Sequence, residues 1–340
     1  MRVALDAQLT VGTATGIGEY VRGLAGALRA RELDLVALRE ESLNPWRFDR
    51  RVLWDQFVLP RRARESGADL LHCASATVPR MTSLPFVVTV HDVAWLDVQT
   101  HAPAYARYYF GKFSLHGYRR AKRIVVDSEF SRGALLARLD GFDPSRVSVV
   151  YPGVAAEFVK LVRARGDGRT ILSVGTIEPR KNLELLVRAL AQLPGARLVA
   201  VGPHTPYALE CTALAQRLGV ADRLEMRGYV SREDLLALHA SCAAVAVPSS
   251  YEGFGYAAAQ ALCAGVPCIV SDRTSLPEVS GGDAPIVGLD DLDAWCAQLA
   301  VALRGDLDAS AASVRARSAQ RFSWDAAADR MLAVYASALN

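Results

Sequence analysis

The chain has 340 residues, of which 51% are hydrophobic and 22% charged, and its net charge is +3. That length suits two domains, the composition excludes a disordered chain, and so small and dispersed a charge gives no reason to expect a nucleic-acid partner. No apolar run approaches the ~20 residues of a bilayer span.

The chain opens Met1-Arg2-Val3-Ala4-Leu5-Asp6, where a carboxylate follows a very short apolar run. This reads as a first buried strand and not as a signal peptide. Further runs follow at 69–72, 86–90 (FVVTV), 123–126 (RIVV) and 147–150 (VSVV). The pattern pauses at Tyr151-Pro152-Gly153-Val154 and a polar stretch, 163–169 (RARGDGR), which marks a domain boundary. It then resumes at 170–174 (TILSV), 197–201 (RLVAV), 223–226, 243–247 (AAVAV) and 267–270 (PCIV). Continuous apolar strands separated by helices predict parallel sheets covered on both faces, hence two doubly wound α/β domains. The helix 182–193 shows the matching stripe, Leu183, Leu186, Val187, Leu190 and Leu193, with Asn182 where an N-cap belongs. The six cysteines form no CxxC pair, which reads as reduced buried thiols of a cytoplasmic protein.

In such sheets ligands bind outside the carboxyl ends of the strands, so the loops after those ends are the ones to read. After the first strand, Thr15-Gly16-Ile17-Gly18-Glu19-Tyr20 leads into a helix. Its glycines let backbone approach a phosphate, and they equally suit a tight turn. His91-Asp92 ends the strand 86–90, as a ligand contact or as a buried histidine with a satisfied hydrogen bond. In Gly175-Thr176-Ile177-Glu178-Pro179-Arg180-Lys181-Asn182 two cations precede a helix N-terminus, where the dipole repels them unless an anion intervenes. A bound diphosphate would be that anion, with Arg180 forking onto its oxygens and Lys181 acting as a point charge. Pro248-Ser249-Ser250-Tyr251-Glu252-Gly253-Phe254-Gly255-Tyr256 places two glycines around an aromatic at the mouth of a helix that carries Gln260. Glu252 there is a ligand contact or a capping carboxylate.

Taken together, these residues resemble family 4 of the retaining glycosyltransferases. The likeness runs through TGIGEY, TVHD at 89–92, DSEFS at 127–131, VVYPGV at 149–154 and SVGTIEPRKN at 173–182. It continues in YEGFGYAAAQALCAGVPCIVSD at 251–272, SLPEVSGGDA at 275–284 and FSW at 322–324. The resemblance implies the GT-B fold, with Rossmann-like domains at 1–153 (acceptor) and 154–322 (donor) facing a cleft, and a helix at 323–340 returning to the first domain. It implies a donor diphosphate approached by Gly16 and neutralised by Arg180 and Lys181, and a sugar contacted by His91, Glu252 and the backbone around Gly253, Phe254, Gly255 and Tyr256. The peptide carbonyl of His91 would steady developing positive charge, and the base would lie near Gly228, Tyr229 and Val230. One departure is specific: the family's second glutamate, which takes the ribose hydroxyls, is Gln260 here. An uncharged acceptor predicts weaker donor binding, on the order of 1 kcal/mol.

The expected chemistry is retaining hexose transfer without a metal ion or cofactor, from a nucleotide-diphosphate sugar to a glycan, lipid-linked or small-molecule acceptor. GTIEPRKN looks like mannosyltransferase members, so GDP-mannose is expected before a UDP-sugar. Asp291-Leu292-Asp293 and Asp306-Leu307-Asp308 lie in a late helical region and read as solvated residues, not metal ligands. A non-catalytic sugar-nucleotide binder is the alternative that Gln260 raises. An oxidoreductase is set aside, because TGIGEY is not GxGxxG. On the acceptor side, 105–123 (YARYYFGKFSLHGYRRAKR) mixes aromatic with basic residues. It reads first as an amphipathic helix packed on the sheet, and second, with the Arg-rich stretch 47–64, as a peripheral contact at the inner membrane face.

Overall fold

A computed structural model describes residues 1–12, 16–97, 103–163, 166–307 and 310–340. The chain divides into two compact units, Met1–Gly153 with Phe322–Asn340, and Val154–Arg321.

The first unit is built on β1 (Arg2–Asp6), β2 (Asp34–Leu38), β3 (Leu70–Cys73), β4 (Phe86–Val90), β5 (Arg123–Val126) and β6 (Val147–Val149), in the order β2-β1-β3-β4-β5-β6. The pairings are parallel, and the inner strands β3 and β4 are buried on both faces. Successive side chains alternate between two cores. Val3, Leu5, Val87 and Val125 meet α1 (Gly16–Arg29), while Ala4, Val88, Ile124 and Val126 meet Trp54, Leu59 and Tyr118 on the other face. The C-terminal helix of the chain completes the first of these cores with Ala328, Met331, Val334 and Tyr335. Gly23 is glycine because a Cβ there would lie 2.1 Å from the Trp324 ring.

The second unit repeats the plan with β7 (Thr170–Val174), β8 (Arg197–Val201), β9 (Leu224–Met226), β10 (Ala244–Val247), β11 (Cys268–Ser271) and β12 (Ile286–Val287), in the order β12-β11-β10-β7-β8-β9. Its helices include α2 (Leu183–Gln192), packed through Leu183, Leu186, Val187 and Leu190, and α3 (Tyr256–Ala264), buried along its whole length after Tyr256. The C-terminal helix noted above is α4 (Trp324–Leu339).

Two strands lie outside the sequence expectation. β2 is an edge strand whose residues are exposed or half-buried except Leu38, so it lacks a continuous apolar run; β12 has only two residues. Asn182 is corrected in detail. It stands at the N-cap of α2 but in the left-handed region (φ 52), without a capping side-chain hydrogen bond, because the tight turn Pro179–Lys181 reverses the chain just before it.

Candidate active site

In the second sheet β7 lies between β8 and β10, so the connections diverge from it in opposite directions. The loops leaving β7 and β10 therefore open side by side, at the switch point where such sheets bind ligands. This explains how Lys181 and Glu252, separated by 71 positions, come into contact. The Ser250 N–H donates to the Arg180 carbonyl at 2.7 Å and ties the two loops together. Lys181 Nζ lies 2.5 Å from Glu252 Oε1, and Arg180 Nη1 lies 3.5 Å from Glu252 Oε2. Ser249 Oγ donates to the same carboxylate at 2.8 Å. Burial alone would raise the Glu252 carboxyl. The charges of Lys181 and Arg180 and the two hydrogen bonds outweigh it and hold the group below the ordinary glutamate range.

This corrects the argument that the cations lack an anion. Glu252 supplies one carboxylate, and Glu178 Oε1 a second, 2.7 Å from Arg180 Nη2. The dipole penalty at α2 is already balanced by the chain itself.

The Glu252 backbone is pinned as firmly as its side chain. Its N–H donates to Thr274 Oγ1 at 3.0 Å, and its carbonyl accepts from Ser275 Oγ at 2.9 Å, a hydroxyl that also reaches the Phe254 carbonyl. Gly255 adopts φ +95, where a Cβ would meet Leu276 at 2.7 Å, and α3 then starts at Tyr256 without a side-chain cap. Gly253 lies between Glu252 and the buried Phe254, whose ring meets Tyr256 edge-on. Gln260 is buried within α3. Gly228 leaves β9 with φ +64, its carbonyl accepting from Gly202 N–H at 2.7 Å; Tyr229 beyond it is exposed and Val230 half-buried. A Cβ at Gly175 would lie 3.2 Å from Lys181 Cε, so the lysine stem lies against this glycine.

In the first unit three strand ends meet at His91. Its Nδ1 lies 2.6 Å from Asp127 Oδ2, just past β5, and its Nε2 lies 3.0 Å from the Ala74 carbonyl, just past β3. A carbonyl only accepts and a carboxylate accepts, so satisfying both places a proton on each ring nitrogen. Burial would lower the imidazole's pKa, but the Asp127 charge and hydrogen bond, with the Ala74 carbonyl, raise it above the ordinary 6.5. Tyr20 packs edge-on at 4.8 Å, and the His91 carbonyl accepts from Ser131 Oγ at 3.2 Å. Gly16 begins α1, where an added Cβ would meet nothing within 4 Å; packing among the described residues does not demand glycine there. Thr15 lies outside the described residues.

The raised pKa of His91 fixes a sign. Its pairing with Asp127 contributes stability that is complete below about pH 6.5 and is lost as pH rises through the higher folded value. Between pH 6 and 9 the urea midpoint should therefore fall more steeply for the native chain than for Asp127→Asn. Parallel profiles would contradict the pairing.

Asp127, Ser249 and Ser275 stand inside motifs noted in the sequence but were given no role there, and Thr274 lies outside those motifs. Asp127 carried a usable signal, since it follows an apolar strand just as His91 does. The DxD-like pieces have structural explanations: Asp291 caps the helix Leu292–Leu303 and Asp306 pairs with Arg304, while Asp308 lies outside the described residues. Among the described residues no group of three or more His, Cys, Asp or Glu side chains could hold a metal ion, and no helix is long and apolar enough to cross a membrane.

The basic aromatic stretch only partly follows its expected packing. Tyr109 and Tyr118 are buried, but Tyr105 and Tyr108 are exposed, because Tyr108–Phe113 is wound as a wide π-helical turn that breaks the 3.6-residue spacing. In the Arg-rich stretch Arg51 is a buried structural cation, 2.9 Å from Asp55.

Residues 14–158 match the family model described as Glycosyltransferase Family 4, and residues 156–284 match the one described as Glycosyl transferases group 1. The chain belongs to glycosyltransferase family 4. Among curated relatives, D-inositol 3-phosphate glycosyltransferase of Mycobacterium avium is 32% identical over 236 residues, covering 64% of this chain and 55% of that protein. Its Mycobacterium marinum counterpart is 30% identical over 237 residues, covering 64% and 51%. The chain thus spans about half the length of the curated relatives it matches. Among solved structures, sucrose-phosphate synthase from Thermosynechococcus elongatus superposes with TM-score 0.75 at 20% identity, over 98% of each chain. Anabaena HepE in complex with UDP-glucose gives TM-score 0.75 at 16% identity, over 99% of this chain and 100% of that one. These likenesses show that this family 4 chain has the two-domain, Rossmann-like GT-B fold.

Proposed function

We propose that the chain transfers a hexose from a nucleotide-diphosphate sugar to an acceptor hydroxyl, retaining configuration at the sugar carbon. The observation that carries this is the Glu252 carboxylate held by Lys181 and Arg180 at the switch point of the second sheet, beside the N-terminus of α3. An incoming diphosphate can take over the two cations and the helix terminus, leaving Glu252 to accept hydrogen bonds from sugar hydroxyls. In the transfer the bond from the sugar carbon to the diphosphate oxygen breaks and a bond to the acceptor oxygen forms on the same face. The acceptor proton passes to the leaving phosphate. His91, with both nitrogens already donating, serves as a contact for the sugar and not as the base. Catalysis is then positioning and electrostatics, with Arg180 and Lys181 supplying the charge that makes a metal ion unnecessary. Unchanged turnover in EDTA is the corresponding test.

Mannose from GDP-mannose is the first candidate donor, on the GTIEPRKN loop. A UDP-sugar is the second reading, favoured by the structural likeness to HepE in complex with UDP-glucose. The inositol phosphate relatives suggest a small acceptor as readily as a glycan or lipid-linked one. Peripheral membrane contact, a part of the acceptor reading, rests on the exposed Tyr105 and Tyr108.

A thermal-shift series with GDP, UDP and their sugars tests the donor. One nucleotide family should raise the melting temperature well above the other, and no shift with any would remove the reading. Gln260→Glu should tighten donor binding by roughly fivefold, on the order of 1 kcal/mol. It should also lower the stability of the free protein, since it buries a charge that only a ligand can pair. Gln260 also favours the alternative of a sugar-nucleotide binder without transfer. Slow donor hydrolysis or transfer, abolished by Glu252→Ala in a folded protein, would decide against that alternative.

A further inference from the structure

The first unit contains a cavity of about 470 Å³ beside His91, within the size range of small-molecule sites. We propose that it holds the body of the acceptor, and that this acceptor is a compact, ring-bearing alcohol or phenol. The inference rests on the transferase reading and deepens it.

Aromatic side chains dominate the walls: Trp46, Phe48, Trp95, Tyr105 and Phe110. Phe48 packs against Tyr105 and Phe110 with centroids 4.6 and 6.1 Å apart, and Trp95 meets Phe110 at 5.0 Å. Trp46 and Tyr105 are more than half exposed, an unfavourable state for rings that a flat apolar ligand would cover. Hydrogen bonds brace the wall from behind. Tyr109, behind it, donates its hydroxyl to Asp55 at 3.0 Å and accepts from Gln56 at 2.9 Å, joining the π-helical turn Tyr108–Phe113 to another at Trp54–Val58.

The charges argue against a phosphorylated acceptor. Arg51 is the cation lining the cavity among the described residues, and it is buried against Asp55 at 2.9 Å and Asp6 at 3.9 Å. His91⁺ is neutralised by Asp127, and Asp92 adds a further acid to the lining. A phosphate entering here would meet no uncompensated positive charge among the described residues. A glycan could stack on these rings, but its many hydroxyls would find few polar side chains here besides Ser75, His91 and Asp92. At the polar end, His91, Asp92 and Ser75 mark where an acceptor hydroxyl would sit.

The test is calorimetric titration of 2-naphthol onto the full chain, followed by mass spectrometry after incubation with donor. Saturable binding and a glycosylated naphthol are expected. Trp46→Ala and Tyr105→Ala should each weaken binding roughly tenfold. Nucleotide-induced thermal stabilisation in each variant reports that it is folded. Absence of saturable binding, or binding that neither variant weakens, would overturn the inference. So would preferential glycosylation of D-inositol 3-phosphate or a mannose disaccharide. Co-sedimentation with anionic phospholipid vesicles in place of naphthol binding would reassign the exposed rings to a membrane. If nucleotides stabilise the chain and only the naphthol arms fail, the acceptor class falls while the transferase reading stands. Failure of the nucleotide arm removes both.

Discussion

Replacing Glu252 by alanine is expected to lower sugar transfer by about 10²–10³-fold while the free nucleoside diphosphate binds at least as tightly as before. The two effects separate because Glu252 plays two parts. In the ligand-free protein it occupies Lys181 and Arg180, so removing it clears the cations for the diphosphate. In the proposed complex its oxygens would accept from sugar hydroxyls, and alanine offers none. Stability should fall by about 1–2 kcal/mol, discounted because Lys181 and Arg180 are partly exposed and Arg180 keeps Glu178. Glu252→Gln, which can still accept from Ser249, should lose less stability but nearly as much transfer. The pH dependence has a definite sign. With its folded pKa below the ordinary 4.5, Glu252 contributes stability that is present above about pH 4.5 and lost as pH falls through the folded value. Calorimetric titration of the nucleotide beside turnover measurement checks the split. Loss of nucleotide affinity in proportion to activity would mean that Glu252 holds the loop and not the sugar.

The largest structural effect is expected from Gly202→Ala. Gly202 follows β8 at φ +147, and a Cβ there would stand 2.0 Å from the Gly175 carbonyl oxygen and 2.5 Å from its carbon. Both obstacles are backbone, so neither can swing aside; the ends of β7 and β8 would have to separate. That would break the hydrogen bonds from Gly175 N–H to the Val201 carbonyl and from Gly202 N–H to the Gly228 carbonyl. A loss above about 3 kcal/mol is expected from the clash and the strained φ together. Gly195→Ala is the control. It too has positive φ, but nothing lies within 4 Å, so it should cost only about 1 kcal/mol. Urea unfolding of both variants decides, and similar midpoints would show that the strand ends yield easily. Because Gly175 also carries the stem of Lys181, a folded residue of Gly202→Ala should bind nucleotide poorly.

The strands were legible wherever burial on both faces forced a continuous apolar run, as in FVVTV at β4 or TILSV at β7. β2 escaped because an edge strand with one buried residue has no such run, and β12 because two residues carry no pattern. Arg180, Lys181 and Glu252 could each be picked out by standing at a strand end. Their mutual pairing could not, because it depends on β10 lying beside β7, which is a property of strand order and not of any local stretch. The same holds for His91, whose partners come from beyond β3 and β5. The aromatic cavity was further from reach. Its rings come from separate segments, and one of those segments is wound with a spacing that helical periodicity does not describe.

The first unit is discontinuous, and a buried thread shows how deeply its two pieces depend on each other. Tyr20 pairs with Thr89 at 3.2 Å, Thr89 with His72 at 2.8 Å, and His72 with the Tyr335 hydroxyl at 2.7 Å. Burial, aided by the nearby charge of His91, pushes His72 down to about 3, so it stays neutral within this thread. On the ribosome, Tyr335 emerges only after every residue of the second unit has been made. The second unit can therefore close its core first, although it lies later in the chain. The first must wait with one face of its sheet covered only in part, by α1, reversing the usual order in which domains mature during synthesis.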